Sequence, residues 1–466
     1  MAPEDLSTST PPRQEPPQGL RGLLAAAMDK RWVQLIRGSG FIFACRVGGA
    51  VLALVTQWVL ARWLGAEDLG SYLFAYSWMI IVARLSGLGL NSGAARFIGE
   101  GLALDDRAQI RGFVGFSGRT VLAVSTAAAV IGISGTLVAR GGPGDDPWPL
   151  VIAFASVPVM ALSGVFQGVA IAYSWFRAAF LPNVVLRPAL FLAVVSVLWL
   201  MGRSVGVTVV MLLQLGSLVL ALLLLVAAVG GPLRRSLAGA ASRTEVSLWT
   251  KAGLALLVVS LFRDYLPELS IIVAGMYLSP DEIAIFSIAF KVAALISFVL
   301  FAVDSFTIPQ VARSAAVDDR AGMESFAQRA TRLTVLGSLA ALVGFWIWGR
   351  WVLGLFGPEF VEGYALLLML SVAQVIRASV GPVLPLLTVG GHERESLKVF
   401  AVSLVLVGPF VVLLAPAWGA EGVGAAVAAV IVISSLALNH RVRHLMGVRP
   451  SILSALVGPA AVSDRP

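Results

Sequence analysis

The sequence predicts an all-α polytopic membrane protein of about 12 transmembrane helices, arranged as two six-span halves, and three observations predict it. Of 466 residues, 58% are hydrophobic and only 13% charged, with a mean hydropathy of +0.88; soluble domains carry roughly 45–50% apolar and about 25% charged residues. Twelve apolar windows follow one another along the chain, each long enough to cross the bilayer core as a helix. Lys and Arg alternate between rich and poor connecting loops, as membrane insertion requires. A single cysteine, Cys45, excludes a disulfide framework, and three histidines, His392, His440 and His444, leave little for a zinc site. Metal, thiol and cofactor chemistry are not expected.

The first element, residues 1–20, is polar and proline-rich without an apolar core, so it reads as a disordered cytoplasmic tail rather than a signal peptide. In residues 21–40, Leu24, Met28, Trp32 and Leu35 recur at helical spacing among Lys30, Arg31 and Arg37. That pattern fits an amphipathic helix lying on the membrane surface, and equally a charged lead-in to the first span. The spans themselves fall at about 41–61, 70–90, 113–138, 148–170, 179–200, 206–229, 249–275, 283–308, 333–350, 364–389, 397–416 and 421–440. With a cytoplasmic N-terminus, and with Lys251, Arg350 and Lys398 at span ends counted with the loops they adjoin, 23 of the 34 Lys and Arg lie on the inner side, four (Arg62, Arg140, Arg203, Arg350) lie in outer loops, and seven lie within spans. Both termini, including the tail 441–466, are therefore placed in the cytoplasm. The net charge of +8 reads as topology, not as a nucleic-acid footprint.

Residues 230–248, a hydrophilic stretch between the sixth and seventh spans, separate a six-span half over 41–229 from a second over 249–440 and read as a cytoplasmic linker. The halves carry a repeat. LGAEDLGSYLFA, beginning at Leu64, aligns with LSPDEIAIFSIA, beginning at Leu278, each just before the second span of its half. An even number of spans per half gives the two repeats one orientation, related by an axis along the membrane normal. Gly357-Pro358-Glu359 and Gly419-Ala420-Glu421 form related turns, in which the carboxylate meets the positive end of the next helix.

The blocks ARWLGAEDLGSYLFAYSWMIIVARLSGLGLNSGAARFIGE (61–100), FSIAFKVAALISFVLFAVDSFTIPQVARS (286–314), LFGPEFVEGYALLLML (355–370) and WGAEGVGAAVA (418–428), with PLLTVGGHERESLK (385–398) before the eleventh span, resemble polysaccharide flippases of the Wzx (O-antigen) type. The likeness covers roughly residues 38–440, and it is the order and spacing of loose motifs that carries it. That family sits in the multidrug/oligosaccharidyl-lipid/polysaccharide exporter superfamily. The resemblance implies two six-helix lobes around a central cavity, alternating access, a prokaryotic inner (plasma) membrane and a role in cell-surface polysaccharide biosynthesis. Substrates in the superfamily range from organic cations to polyprenyl-diphosphate-linked sugars, so the site residues must choose.

Charged groups inside spans face a cavity or a partner, because lipid exposure costs at least about 2.5–3.5 kcal/mol each. Arg46, Arg84, Arg119, Arg187, Arg263, Lys291 and Arg377 outnumber the acidic candidates Asp264, Glu268 and Asp304, which suggests a positive cavity suited to a diphosphate. Arg263 and Arg377 lie mid-span, Arg84 and Lys291 nearer span ends, and Arg187 precedes Pro188; these five are the expected diphosphate ligands. A structural ion pair is the alternative for the first two, snorkelling for the next two, and a helix kink for Arg187. Arg46 and Arg119 are expected to snorkel, and Asp304 to make an interfacial polar contact. In SLFRDYLPELS (260–270), a span broken at Pro267, Asp264 and Glu268 share one face. Two close carboxylates cannot both ionise cheaply, so one is expected to carry a coupling proton; a charge cluster with Arg263 is the alternative. On the first span Arg46, Ala50, Ala53 and Gln57 form a small and polar stripe that should face other helices, and Tyr72 and Tyr76 are among the aromatic groups available to sugar rings.

The sequence thus points to a flippase moving a polyprenyl-diphosphate oligosaccharide from inner to outer leaflet, possible coupling ions being a proton or sodium. The alternatives are an organic-cation (multidrug) antiporter and a lipid II flippase. An enzyme is not expected: the outer loops are short and the inner ones hold no glycine-rich nucleotide motif.

Overall fold

A computed structural model describes residues 30–139, 146–316 and 319–451. The tail 1–20, residues 21–29 of the lead-in 21–40 and residues 452–466 of the tail 441–466 lie outside the described residues. What is described is helical throughout, with no strand among the described residues. The chain is an all-α polytopic membrane protein.

Among the described residues nine helices are long and apolar enough to cross a membrane; divided at two glycine kinks, and with the helix 246–274 added, they make twelve helical segments. α1 (30–64) and α2 (66–86) are separate helices, with Gly65, at φ 77°, breaking the helical path between them. α2 resumes after a turn at 87–89 as Leu90–Ala103. Then come α3 (Arg107–Ala139), α4 (Trp148–Ala172), α5 (Phe176–Leu200), α6 (Val207–Ser236) and α7 (Val246–Ala274). α8 is broken into Pro280–Ala294 and Ser297–Ala316, α9 runs over Arg320–Gly354, and α10 over Pro358–Val389. α11 (393–418) and α12 (420–446) are separated by Gly419, φ 54°. An L side chain is strained at either glycine, so these two breaks are written into the sequence.

Prolines shape the spans that line the centre. Pro267 removes a backbone donor from α7 and crowds the carbonyl of Arg263, and Tyr265 leaves the helical region at φ −133°. A π-helical turn, Leu181–Leu186, precedes Pro188 in α5 and absorbs the same defect. The turn before α8 is closed by a capping box, in which Ser279 N and Oγ both donate to Glu282 Oε2 at 3.0 Å.

The hydrophilic stretch 230–248 is partly helical: α6 continues through Gly230, Gly231 and Pro232 to Ser236 because Leu233 is buried there. Only residues 237–245 link the halves without helix. That link is tied to α3. Arg243 pairs with Asp106 at 3.0 Å and Glu245 at 3.2 Å, and Arg111 Nη1 donates to the Ala240 carbonyl at 2.6 Å. Trp249, fully buried at the start of α7, packs against Phe97, Phe113 and Phe116 and roots α7 in the first half.

The two halves meet along α1 and α2 on one side and α7 and α8 on the other. Contact is closest at two glycines. At the end away from the linker, a Cβ on Gly70 would lie 1.6 Å from the Pro280 carbonyl oxygen, so the two repeated turns rest directly on one another. At the linker end, a Cβ on Gly89 would lie 1.9 Å from the Gly253 carbonyl oxygen. Both obstacles are backbone, which cannot swing aside. Gly70→Ala should therefore lower the thermal unfolding midpoint, through a cost of about 1–3 kcal/mol. Gly99→Ala, where nothing lies within 4 Å, should not. Equal midpoints for the two variants would show that the helices separate without strain.

Candidate functional site

Between the halves lies a cavity of about 790 Å³, walled by α1, α2, α5, α6, α7 and α8. Its volume is within the range of small-molecule sites, about 300–1,000 Å³. The stripe read on the first span arrives here as Ala50, Ala53 and Gln57, all in the wall; the side chain of Arg46 lies outside the described ones. α2 contributes Tyr72 and Tyr76, whose rings stack with centroids 5.7 Å apart. The lining also holds exposed apolar residues: Val51 from α1, and Leu295, Phe298 and Phe301 from α8.

Of the sequence-predicted residues, four share this cavity: Arg187 from α5, Asp264 and Glu268 from α7, and Lys291 from α8. Two cations are thus matched by two carboxylates, where the count over all spans had suggested a positive field. Lys291 Nζ donates to Gln57 Oε1, joining the two halves across the cavity. Glu268 and Lys291 feel one another's charge but are not in ion-pair contact. Pro188 and Pro267, which bend α5 and α7, are themselves wall residues, so the defects in those helices lie at the cavity.

The other three fall elsewhere. Arg263 is not in the wall; its Nε donates to Asp264 Oδ1 at 2.9 Å and its Nη2 to Asp264 Oδ2 at 3.0 Å. This bidentate pair is the charge cluster that the broken span allowed. Arg84 lies towards the linker end, its guanidinium 5.0 Å from the ring centroid of Tyr265, with one nitrogen, Nε, buried and unpartnered. Arg377 is inside the second half: Nη2 donates to Ser297 Oγ at 2.6 Å, at the break in α8, and its charge acts on Asp304. Asp304 Oδ1 and Arg377 Nε are both buried without a partner.

Gln214 is a wall residue that sequence reasoning passed over. It is the single amide in the apolar run of α6 and is 5% exposed, and that isolation was the available signal.

No protein-family model matches the chain, and no curated protein sequence matches it. Solved structures do. A multidrug-resistance MATE family transporter of the MOP superfamily, in an inward-facing conformation, superposes with a TM-score of 0.69 at 16% identity, covering 89% of this chain and 96% of its own. The chain has the fold of MOP-superfamily transporters. The lipid II flippase MurJ, inward closed, gives 0.64 at 13% identity over 88% of this chain and 87% of its own. A MOP-superfamily transporter from Pyrococcus furiosus, described by the reverse polarity of its binding pocket, gives 0.52 at 13% identity over 86% and 95%. At these identities the likeness is one of architecture, and it supplies the two six-helix lobes about a cavity that the motifs implied.

Proposed function

We propose that the protein is a flippase that carries a polyprenyl-diphosphate-linked oligosaccharide between the leaflets of a prokaryotic plasma membrane by alternating access. The observation that carries this reading is the composition of one cavity wall by wall. Arg187 and Lys291 supply the cations that a diphosphate needs, while Val51, Leu295, Phe298 and Phe301 supply an apolar surface that a prenyl chain can follow. A soluble anion would have no use for that surface. Arg84, outside the wall and over the Tyr265 ring, is assigned in this reading to the diphosphate on entry; Arg263 acts through Asp264, and Arg377 through the packing of the second lobe. The likeness to MurJ, a lipid II flippase, and to drug transporters of the same superfamily supports a transporter and leaves the cargo to these residues.

The second reading, an organic-cation antiporter, draws on Asp264 and Glu268 in the same wall. Movement of a fluorescent polyprenyl-diphosphate oligosaccharide in proteoliposomes, read with a membrane-impermeant quencher and run beside a fluorescent organic cation, separates the two. Protein-dependent movement of the lipid-linked sugar alone supports the flippase; movement of the cation alone sinks it.

Asp264 is already neutralised by Arg263, so Glu268 is the carboxylate left to carry a coupling proton. Replacing Asp264 and Glu268 jointly with Asn and Gln should make the transport rate indifferent to an imposed pH gradient. An unchanged ratio of rates with and without the gradient would remove both from coupling and leave sodium as the ion to test.

A further inference from the structure

Two buried polar atoms in the wall of the interlobe cavity have no partner. An ammonium can only donate, so the contact from Lys291 fixes the Gln57 amide with its oxygen towards Nζ and its NH2 group on the other side. That Nε2 is buried and unpartnered in a side chain only 7% exposed. Across the interface Glu268 Oε2 is buried and unpartnered as well. The amide is a donor and the carboxylate, before it takes up the coupling proton, an acceptor; both residues line the cavity, Lys291 bonds the first and its charge reaches the second. A buried group left in this state carries the full penalty of its lost solvation, so a ligand that satisfies both gains twice.

The chemistry of such a ligand follows by elimination. An ionised phosphate accepts from Gln57 but is repelled by Glu268. An organic cation donates to Glu268, offers nothing to the amide donor and is repelled by Lys291. A hydroxyl group both donates and accepts. The stacked rings of Tyr72 and Tyr76 in the same wall add an aromatic surface, which suits the C–H face of a sugar ring.

We propose that Gln57 and Glu268 form a hydroxyl-binding subsite for an uncharged sugar ring, with Lys291 holding the Gln57 amide in register. The inference rests on the reading of the cavity as the path of a lipid-linked sugar, and it separates the task of the carboxylate from that of the cations. Arg187 and Lys291 take charge; Gln57 and Glu268 take hydroxyls.

Saturation-transfer NMR on the full-length protein in detergent tests this, using the methyl glycosides of glucose, galactose and mannose, each beside its permethylated analogue. At least one methyl glycoside should give transfer about tenfold or more stronger than its permethylated partner, and Gln57→Leu and Glu268→Leu, which delete the donor and the acceptor, should each reduce that transfer about tenfold. No transfer to any glycoside, equal transfer to glycoside and permethylated analogue, or transfer unaffected by both variants would overturn the subsite. If a variant fails to run as a single species on gel filtration, the wild-type comparison with the permethylated sugars still decides. These probes carry neither phosphate nor lipid. Sugar binding without flipping in proteoliposomes would therefore sink the transport reading and keep the subsite, whereas flipping without sugar binding would sink the subsite alone.

Discussion

With Arg187 and Lys291 both replaced by methionine, movement of a polyprenyl-diphosphate sugar across the bilayer is expected to fall about a hundredfold or more. Each residue loses a charge-assisted hydrogen bond to phosphate, worth about 1.5–3 kcal/mol, so the pair together gives roughly 3–6 kcal/mol. Methionine keeps the long apolar stem, and the packing of the wall is preserved. The control is Arg350→Met, since Arg350 lies 5.0 Å from the ring centroid of Tyr364 and is not among the wall residues; its transport should be normal. A double variant that still flips within about threefold of the wild type would remove the cavity cations from substrate binding.

Arg377→Met is expected to act on folding. Arg377 lies within the second lobe, tied to Ser297 at the break in α8, and it is the cation whose charge reaches the buried Asp304. Removing Arg377 takes away the hydrogen bond to Ser297 Oγ and the charge that offsets Asp304, at a cost of about 1–3 kcal/mol. The thermal unfolding midpoint in detergent should drop accordingly, and adding Asp304→Asn to Arg377→Met should recover at least half of the loss. If the midpoint held while transport failed, Arg377 would belong with the substrate ligands after all.

These two expectations reorder what the sequence ranked highest. The spans were legible because apolar windows of bilayer length leave little freedom, and the breaks at Gly65 and Gly419 were legible as glycines beside carboxylates. The first-span stripe was legible too, since Ala50, Ala53 and Gln57 recur at helical spacing and their helix has one side to bury. The partners of the charges were not. Gln57 and Lys291 are 234 residues apart, and nothing local to either announces the bond between them. Arg263, mid-span and isolated by hydropathy, looked like a ligand, but its neighbour Asp264 engages both of its arms beside the Pro267 defect. Position along a span gives depth; rotation about the helix axis decides whether a side chain meets the cavity, and a kink changes that rotation locally.

The two glycine contacts give the molecule a mechanical character. Gly70 lies near the start of α2 and Gly89 in the turn that follows its end at Ser86, and at about 1.5 Å per helical residue the two contacts are separated by roughly 25 Å. Each presses bare backbone on bare backbone, without side chains that would have to be unmeshed before the helices turn. In the alternating access proposed above, such contacts would serve as fulcra. With a lever arm of that length, a rotation of about 20° at one fulcrum parts the other by roughly 9 Å, a gape wide enough for a sugar ring, while the pressed end stays shut.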